Sequence, residues 1–190
     1  MTHISIVGAG KMGQAIAGIV TRGGNTVELL DNTTSQAVSG EIVVLAVPYG
    51  ALDDVIAQRA DELAGKIVVD ITNPLNFETF DSLLVPADSS AAAKVAAALP
   101  ESRVLKAFNT TFSGVLDAGT VGPQKATVLI AGDDEAAKKA LADVVTAGGL
   151  DAVDAGSLSR ARELESVGFL QLTLAAAGKI SWTGGFALVN

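Results

Sequence analysis

The chain has 190 residues, of which 49% are hydrophobic and 18% are charged. This composition excludes intrinsic disorder, which needs low hydrophobicity and high charge, and it suits one domain with a sizeable core. A formal net charge of −8 argues against nucleic-acid and anionic-membrane partners, because both select basic surfaces. With no cysteine and a single histidine, His3, disulfides and Cys/His metal sites are excluded, and a histidine-based triad is not expected.

The N-terminus has no basic segment followed by a uniform apolar stretch, so we predict no signal peptide. The most apolar late segment, residues 167–177, is interrupted by Gln171 and Thr173 and is too short to cross a bilayer. We therefore expect a cytoplasmic protein without a membrane partner.

Short apolar strands alternate with amphipathic helices along the chain. The first half predicts strands at His3–Val7, Thr26–Leu30, residues 42–47 and Ile67–Asp70, a helix at Lys11–Arg22, and a helix with Leu52, Val55, Ile56 and Leu63 on one face. The second half predicts a helix capped by Ser89 or Ser90, strands at residues 104–108, 127–130 and 150–153, a helix begun by the acidic residues 133–135, and a long helix over residues 159–178. Strands separated by helices pair in parallel through right-handed crossovers, so we expect a doubly wound, mainly parallel α/β sheet of the Rossmann type, with a C-terminal helix and a short tail.

A glycine-rich turn, Gly8-Ala9-Gly10-Lys11-Met12-Gly13, follows the first strand and opens the first helix. In such a turn the first glycine permits the tight bend, the second lets backbone approach a pyrophosphate, and the third allows the helix to pack on the strand. The helix N-terminus adds free N–H groups and a positive dipole end. The motif therefore predicts a dinucleotide-binding domain over residues 1–190, with its Rossmann core in residues 1–155 and the C-terminal helix and tail, residues 156–190, packed on it.

Asp31 ends the second strand, where an acidic side chain accepts hydrogen bonds from the adenosine ribose; a turn-forming Asp-Asn pair is the alternative. Facing the ribose, Asp31 disfavours the 2′-phosphate of NADP, because like charges 4 Å apart repel by about 4 kcal/mol at an effective dielectric constant of 20. Residues 32–40 contain no lysine or arginine, but the donor-rich residues Asn32, Thr33, Thr34 and Ser35 could hold a phosphate if Asp31 turned away. Asp31, with no basic residue nearby in the sequence, favours NAD over NADP.

The connection over residues 32–40 is shorter than the roughly 10–12 residues that a full parallel crossover takes. We expect the second crossover helix to be absent or one turn long, which would leave the adenine of a bound dinucleotide open to water.

Three later strand ends carry residues that suit the nicotinamide half of the site, because ligands of open α/β sheets bind beyond the carboxyl ends of the strands. Asn73 and Asn109 could fix the carboxamide or ribose through paired donors and acceptors, and Tyr49, the only tyrosine, could cover the ring. The alternative for each is a turn or cap residue. The candidates at the three ends are Ala46, Val47, Pro48 and Tyr49, then Asn73 and Pro74, then Asn109 and Thr110.

Side chains for acid–base catalysis are sparse. Tyr49 has Asp53 rather than lysine four positions later, so the tyrosine–lysine pair of short-chain dehydrogenases is absent. We predict an NAD(P)-dependent oxidoreductase with no catalytic side chain, in which positioning two rings suffices for hydride transfer to a small, flavin-like acceptor. A nucleotide-sensing regulator without catalysis and an imino-acid reductase of the pyrroline-carboxylate type are the alternatives; the about forty residues after Gly149 are few for the dimerisation region of the latter.

The chain resembles a known family at two places: the segment Val104-Leu-Lys-Ala-Phe-Asn-Thr110, and residues 154–159 with Arg162 and Glu165 further on. The family is that of the NADP oxidoreductases related to the reductases of the 5-deazaflavin coenzyme F-420. The chain resembles their compact bacterial relatives especially. The resemblance extends over essentially the whole chain. It implies NADP as cofactor, a pyrophosphate held by the glycine turn, and a nicotinamide and acceptor flanked by Pro48, Tyr49, Pro74, Asn109 and Thr110. The chain departs from that family at two places. At the positions of Asp31 to Thr34, the family holds the 2′-phosphate with polar and basic residues, and at the position of Asn109 it often has histidine. A deazaflavin acceptor is therefore not assumed.

Arg162 and Glu165 lie three positions apart on the last predicted helix, as do Arg160 and Glu163, a spacing that usually indicates surface ion pairs. An acceptor-binding role for Arg162 is the alternative. Trp182 with Gly184-Gly185-Phe186 is unusual for a solvated tail, so we expect it to pack back on the domain as a wall of the acceptor pocket, as a homodimer contact or as core.

Overall fold

The computed structural model describes residues 1–31 and 36–189. The strands, in chain order, are β1 (His3–Val7), β2 (Thr26–Leu30), β3 (Ile42–Leu45), β4 (Ile67–Asp70), β5 (Arg103–Lys106), β6 (Thr120–Val121), β7 (Gln124–Lys125), β8 (Thr127–Gly132) and β9 (Asp151–Gly156). The helices are α1 (Lys11–Arg22), α2 (Leu52–Leu63), α3 (Ala91–Ala98), α4 (Ser113–Ala118), α5 (Glu135–Ala147) and α6 (Ala161–Ala176). Among the described residues, no helix is both long and apolar enough to cross a lipid bilayer.

Within this part of the chain, seven strands form one sheet in the order β2-β1-β3-β4-β5-β8-β9, and β6 pairs with β7 in a separate hairpin. The four pairs β2–β1, β1–β3, β3–β4 and β4–β5 are parallel. The strand order reverses at β1, which has β2 on one side and β3 on the other, and helices cover both faces, so the predicted Rossmann-type sheet is confirmed. In such sheets, ligands bind in the crevice beyond the carboxyl ends of the strands at the reversal.

The pairing of β8 differs from the parallel pairing that strand–helix alternation predicts. β8 runs antiparallel to β5, with Lys106 opposite Ala131, and parallel to β9. Between β5 and β8 the chain forms the six-residue α4 and the β6–β7 hairpin, neither of which is among the sequence predictions. A helix of that length spans about 9 Å. The chain therefore enters β8 from the edge at which it left β5, instead of crossing back over the sheet.

The alternation of side chains along the strands builds a core on each face of the sheet. In β3, Ile42 and Val44 belong to the cluster beneath α1 and α5, whereas Val43 and Leu45 belong to the cluster beneath α2 and α3. Successive strand residues point to opposite faces, so apolar residues at all four positions indicate burial on both sides. β3 lies between β1 and β4 with all four residues buried, which confirms the predicted central strand.

Two strands end earlier than predicted. β3 ends at Leu45 rather than at residue 47, and β5 ends at Lys106 rather than at residue 108. Phe108 explains the second difference, because its φ of 63° lies in the left-handed region, which is incompatible with an extended strand.

Two helices begin at the predicted polar residues. The Ser90 hydroxyl accepts a hydrogen bond from the Ala93 N–H at 3.0 Å and caps α3. The Asp134 carboxylate accepts one from the Ala137 N–H at 2.7 Å and caps α5. Each cap satisfies an N–H group that the helix leaves without a partner.

The short connection after β2 is described over residues 36–40, which lie in neither a helix nor a strand. Residues 32–35 of the predicted short crossover lie outside the described residues. The Val38 N–H donates to Glu62 Oε2 at 2.9 Å, and the Gly40 N–H donates to Ser5 Oγ at 2.7 Å. These bonds tie the connection to α2 and β1.

Candidate functional site

The glycines of the turn after β1 occupy three different environments. Gly8 has a φ of 118°, and a Cβ there would overlap the carbonyl oxygen of Ala46, just beyond β3. A Cβ on Gly13 would overlap the carbonyl oxygen of Gly8, so the first and third glycines are required for the turn and for the packing of α1. A Cβ on Gly10 would meet no heavy atom within 4 Å. The open space above Gly10 is what a phosphate-binding turn requires, because a ligand must approach the backbone there.

The N-terminus of α1 suits an anion. Gly10 is the N-cap of α1 and offers no side chain to its first N–H groups, and the first turn contains no acidic residue. Those N–H groups need acceptors, and the helix dipole places partial positive charge beside them. A phosphate above Gly10 would satisfy both requirements.

Two cavities meet at the glycine turn and form one groove along the carboxyl edge of the sheet. The β2-side cavity has a volume of about 600 Å³, and the predicted residues that line it alone are Gly8, Ala9 and Asp31. The tail-side cavity has a volume of about 490 Å³, and the predicted residues that line it alone are Lys11, Met12, Tyr49, Asn73 and Asn109. Four predicted residues line both cavities and join them, namely Gly10, Ala46, Val47 and Pro48.

Three further predicted residues do not line the groove. Gly13 is buried beneath the turn, Pro74 is buried and Thr110 is half-buried, and none of them lines either cavity of the described structure. Asn32, Thr33 and Thr34, the predicted phosphate-binding alternative, lie outside the described residues.

The β2-side cavity contains a cation that the sequence prediction missed. Residues 32–40 contain no lysine or arginine, but α2 brings Arg59 to the wall of the cavity that Asp31 lines. Arg59 NH1 donates to the Gln36 carbonyl oxygen at 3.1 Å and pairs with Glu62 Oε2 at 2.9 Å. The local sequence gives no signal of this approach, because Arg59 lies on a different element from Asp31.

Asn73 and Asn109 lie side by side and hydrogen-bond to each other. Asn73 Nδ2 donates to the Asn109 carbonyl oxygen at 2.9 Å, and Asn109 Nδ2 donates to Asn73 Oδ1 at 2.9 Å. Asn109 Nδ2 also donates to the Leu164 carbonyl oxygen on α6, at 2.8 Å. Phe108, which precedes Asn109, is buried in the left-handed conformation that bulky residues rarely adopt, so local backbone strain accompanies this position.

Two buried oxygens in the wall of the tail-side cavity have no hydrogen-bond partner among the described residues. They are Thr72 Oγ1 and Asn109 Oδ1, and their residues are 4% and 6% exposed. A buried polar atom without a partner carries a free-energy cost of roughly 1–3 kcal/mol. The cost is removed if a ligand in the cavity supplies the missing partner, so these atoms fit a polar group such as a carboxamide.

The rest of the tail-side cavity is mainly apolar. Residues that the sequence prediction did not assign to the site include Ile71, Phe77, Phe108, Phe112 and Leu172. Titratable groups in the described wall of this cavity are limited to Lys11 and Tyr49. Such a wall suits a flat ring held out of water.

Residues of the tail contact the rest of the domain. Trp182 lines the tail-side cavity, and its ring centroid lies 5.0 Å from that of Phe112. Further along, the Phe186 N–H donates to Gln171 Oε1 at 3.4 Å. Trp182 is 53% exposed, so it is not a core residue, and the predicted homodimer contact stays a prediction.

A fully buried ion cluster lies behind the asparagine pair. Lys106 Nζ contacts Asp70 Oδ2 at 2.9 Å, Glu165 Oε1 at 2.8 Å and the Thr72 carbonyl oxygen at 2.5 Å. Glu165 Oε2 also accepts a hydrogen bond from the Ala91 N–H at the start of α3, at 2.9 Å. The cluster thus joins β4, β5, α3 and α6 beneath the tail-side cavity.

The predicted surface pair of Arg162 and Glu165 is wrong. Glu165 is 1% exposed and pairs with Lys106, while Arg162 NH2 pairs with Glu163 at 2.6 Å. The predicted pair of Arg160 and Glu163 is present at 3.6 Å. Helical spacing alone could not distinguish these cases, but Lys106 stands inside an apolar strand, and a buried cation there requires a buried anion.

Replacing Glu165 with glutamine should change how stability depends on pH. Burial raises the pKa of Glu165 above its usual 4.5, although Lys106 and the Ala91 N–H oppose the shift. Because the folded pKa exceeds the unfolded one, the contribution of Glu165 to stability is largest below about pH 4.5 and is lost as pH rises through the folded pKa. Urea unfolding from pH 4.5 to 7 should therefore show the stability of the wild type falling relative to Glu165→Gln. If the stability of the wild type relative to Glu165→Gln stays constant or rises over this pH range, the raised pKa of Glu165 is contradicted.

The fold and the groove define a dinucleotide-binding protein of the Rossmann class. The family model described as "NADP oxidoreductase coenzyme F420-dependent" matches residues 25–74. The F420-dependent NADP reductase of Methanocaldococcus jannaschii is 36% identical, with 78% of this chain and 68% of that protein covered. The rat metalloreductase STEAP3 is 34% identical over 70% of this chain, which spans only 26% of the rat protein. A crystal structure from Arthrobacter sp. FB24 matches with a TM-score of 0.85 over 100% of both chains, at 24% identity, and supports the fold.

The chain therefore belongs to the F420-dependent NADP oxidoreductase family, and it is an NAD(P)-dependent oxidoreductase. The sequence-based resemblance to this family is confirmed.

Proposed function

We propose that this protein binds NADPH along the groove and catalyses hydride transfer to a small, flat redox acceptor in the tail-side cavity. The observation that carries the proposal is the open space above Gly10, which joins a cavity beside Asp31 to a second cavity with unpartnered polar atoms. These three spaces correspond to the three parts of a dinucleotide: the adenosine in the β2-side cavity, the pyrophosphate above Gly10 and the nicotinamide in the tail-side cavity.

In this proposal the backbone of the glycine turn and the N-terminus of α1 bind the pyrophosphate. Asn109 Oδ1 accepts a hydrogen bond from the carboxamide nitrogen, and the Thr72 hydroxyl donates to the carboxamide oxygen. The Asn73–Asn109 pair fixes the orientation of the Asn109 amide, so its oxygen is already placed when the ligand arrives.

The bound nicotinamide supplies the hydride. The apolar wall formed by residues such as Phe112, Leu172 and Trp182 excludes water and holds the acceptor ring against the nicotinamide. With Lys11 and Tyr49 as the titratable groups of the described wall, the protein contributes mainly binding and orientation. This favours acceptors such as flavins, deazaflavins or quinones, which accept a hydride without a dedicated proton donor.

The proposal is tested by titrating the protein with NADPH and then following NADPH absorbance in stopped-flow mixing with a flavin, a deazaflavin and a quinone. We expect saturable NADPH binding and oxidation by at least one acceptor, at a rate that depends on protein concentration. Tight NADPH binding without turnover on the panel would favour a nucleotide sensor, and absence of binding would overturn the proposal.

Replacing Gly168 with alanine should selectively damage the nicotinamide end. A Cβ on Gly168 would overlap Asn73 Oδ1 and lie 3.0 Å from Asn109 Nδ2, so α6 could not pack against the asparagine pair. We expect NADPH affinity to fall about tenfold, since misplacing one or two hydrogen bonds costs roughly 1–3 kcal/mol. Affinity for 2′,5′-ADP, which lacks the nicotinamide, should change little in calorimetric titrations.

The matched control is Gly18→Ala in α1, where the new Cβ would meet the Arg22 side chain at 3.3 Å. Alanine there should leave both affinities unchanged. Equal losses for NADPH and 2′,5′-ADP in Gly168→Ala would show a general structural defect and contradict the assigned role of the asparagine pair.

A further inference from the structure

We propose that Arg59 of α2 recognises the 2′-phosphate of NADP and sets the preference of this protein for NADP over NAD. The inference rests on the proposed function, because it assumes that the β2-side cavity holds the adenosine half of the cofactor. Recognition of the 2′-phosphate is thereby assigned to α2, whereas the sequence analysis considered residues 32–40 for this role.

The first support is the charge of the β2-side cavity. Arg59 is the cation in its described wall, which also contains the carboxylates Asp31 and Asp54. Asp31 can accept hydrogen bonds from the free hydroxyls of a ribose. A 2′-phosphate instead needs a cation that offsets the negative charge of the two carboxylates. The cavity thus contains one group suited to each form of the ribose.

The second support is that Arg59 is held in place before any ligand binds. Its NH1 group donates to the Gln36 carbonyl oxygen at 3.1 Å and to Glu62 Oε2 at 2.9 Å. Glu62 Oε2 also accepts the Val38 N–H at 2.9 Å, so the connection after β2 and the guanidinium share one anchor. The side chain of Arg59 is only 12% exposed. Ordering this long side chain therefore costs little when a ligand arrives.

The third support is that the anchoring contacts of Arg59 among the described residues use only one of its three nitrogens. The hydrogen bonds that anchor Arg59 in the described structure use NH1, and Nε and NH2 provide the remaining donors. That edge matches the spacing of two phosphate oxygens and can form a bidentate, charge-assisted contact. Glu62 meanwhile pairs with the NH1 side at 2.9 Å.

The test compares the wild type with Arg59→Ala and Arg59→Lys by calorimetric titration with NADPH, NADH, 2′,5′-ADP and ADP. The wild type should bind 2′,5′-ADP more tightly than ADP. Arg59→Ala should weaken NADPH and 2′,5′-ADP by about 10- to 100-fold, the loss expected for one or two charge-assisted hydrogen bonds, and should change NADH and ADP less than about threefold. Arg59→Lys keeps the positive charge but not the paired guanidinium donors of the bidentate contact, so it should give an intermediate loss.

Two further variants separate the possible outcomes. Arg103→Ala removes an exposed arginine at the start of β5, away from the groove, and should leave all four affinities unchanged. Asp31→Ser should weaken NADH and strengthen NADPH, because the acceptor for the ribose hydroxyls and the repulsion of the phosphate disappear together.

Equal losses of NADPH and NADH in both Arg59 variants would overturn the proposal, since they would indicate stacking on adenine or a structural role. Unchanged NADPH affinity would overturn it as well. If Arg59→Ala does not fold, the Arg59→Lys comparison decides between these results. Discrimination between 2′,5′-ADP and ADP that depends on Arg59, without any hydride transfer, would leave this inference standing while the proposed oxidoreductase reaction failed.

Discussion

Replacing Gly10 with valine is expected to abolish NADPH binding and to leave the unfolding temperature of the protein nearly unchanged. A Cβ at this position meets no protein atom within 4 Å, and the backbone angles of Gly10, φ −72° and ψ −175°, are ordinary for valine. The branched side chain would instead fill the space that the pyrophosphate needs. Losing two charge-assisted contacts at roughly 1.5–3 kcal/mol each raises the Kd by about 100-fold or more.

The matched comparison is Gly13→Ala, three positions further along the same motif. Its new Cβ would overlap the Gly8 carbonyl oxygen, so we expect destabilisation by about 1–3 kcal/mol, from strain in the packing of α1 on the turn. Thermal unfolding and NADPH titration on both variants separate the two effects. Normal NADPH affinity in a folded Gly10→Val protein would remove the basis of the proposed function.

Replacing Lys106 with methionine is expected to cost about 3–5 kcal/mol of stability at pH 7. Methionine fills a similar volume but leaves Asp70 and Glu165 buried without their shared cation. Removing one partner of a buried ion cluster is strongly destabilising, because the remaining charges have neither solvent nor a counter-ion. Urea unfolding measured at pH 7 gives the loss directly.

The same variant should recover part of its stability at lower pH. Burial already raises the pKa of Glu165 and Lys106 opposes that shift, so without Lys106 the folded pKa of this carboxyl rises further above its unfolded value. Stability gained by protonation is present at low pH and is lost as pH rises, and the deficit relative to the wild type should shrink between pH 7 and pH 5. Lys94→Met, which removes an exposed partner of Asp53, should cost about 1 kcal/mol or less at both pH values. A deficit for Lys106→Met that is independent of pH would argue against charge burial as its cause.

Local patterns in the sequence determined most of the secondary structure and the core of the site. β1, α1, β2 and β4 have the predicted bounds because apolar periodicity and the flanking glycines act within a few residues. The glycine turn could also be predicted from the sequence, because Gly8 and Gly13 meet a steric requirement within the turn and Gly10 leaves space for a ligand, as the spacing of the motif implies. Asn73 and Asn109 could be placed near each other because the carboxyl ends of neighbouring parallel strands share one edge of the sheet.

Contacts between distant segments were decided only by the tertiary structure. The direction of β8 depends on how α4 and the β6–β7 hairpin fit at one edge, and the partner of Lys106 lies 59 positions away on α6. Gly168 and Arg59 reach the groove because α6 and α2 pack where they do; no local pattern marks the face that meets a ligand. Side-chain spacing reports only neighbours on the same element, whereas a buried charge or a specificity residue acts through whatever the folded chain brings beside it.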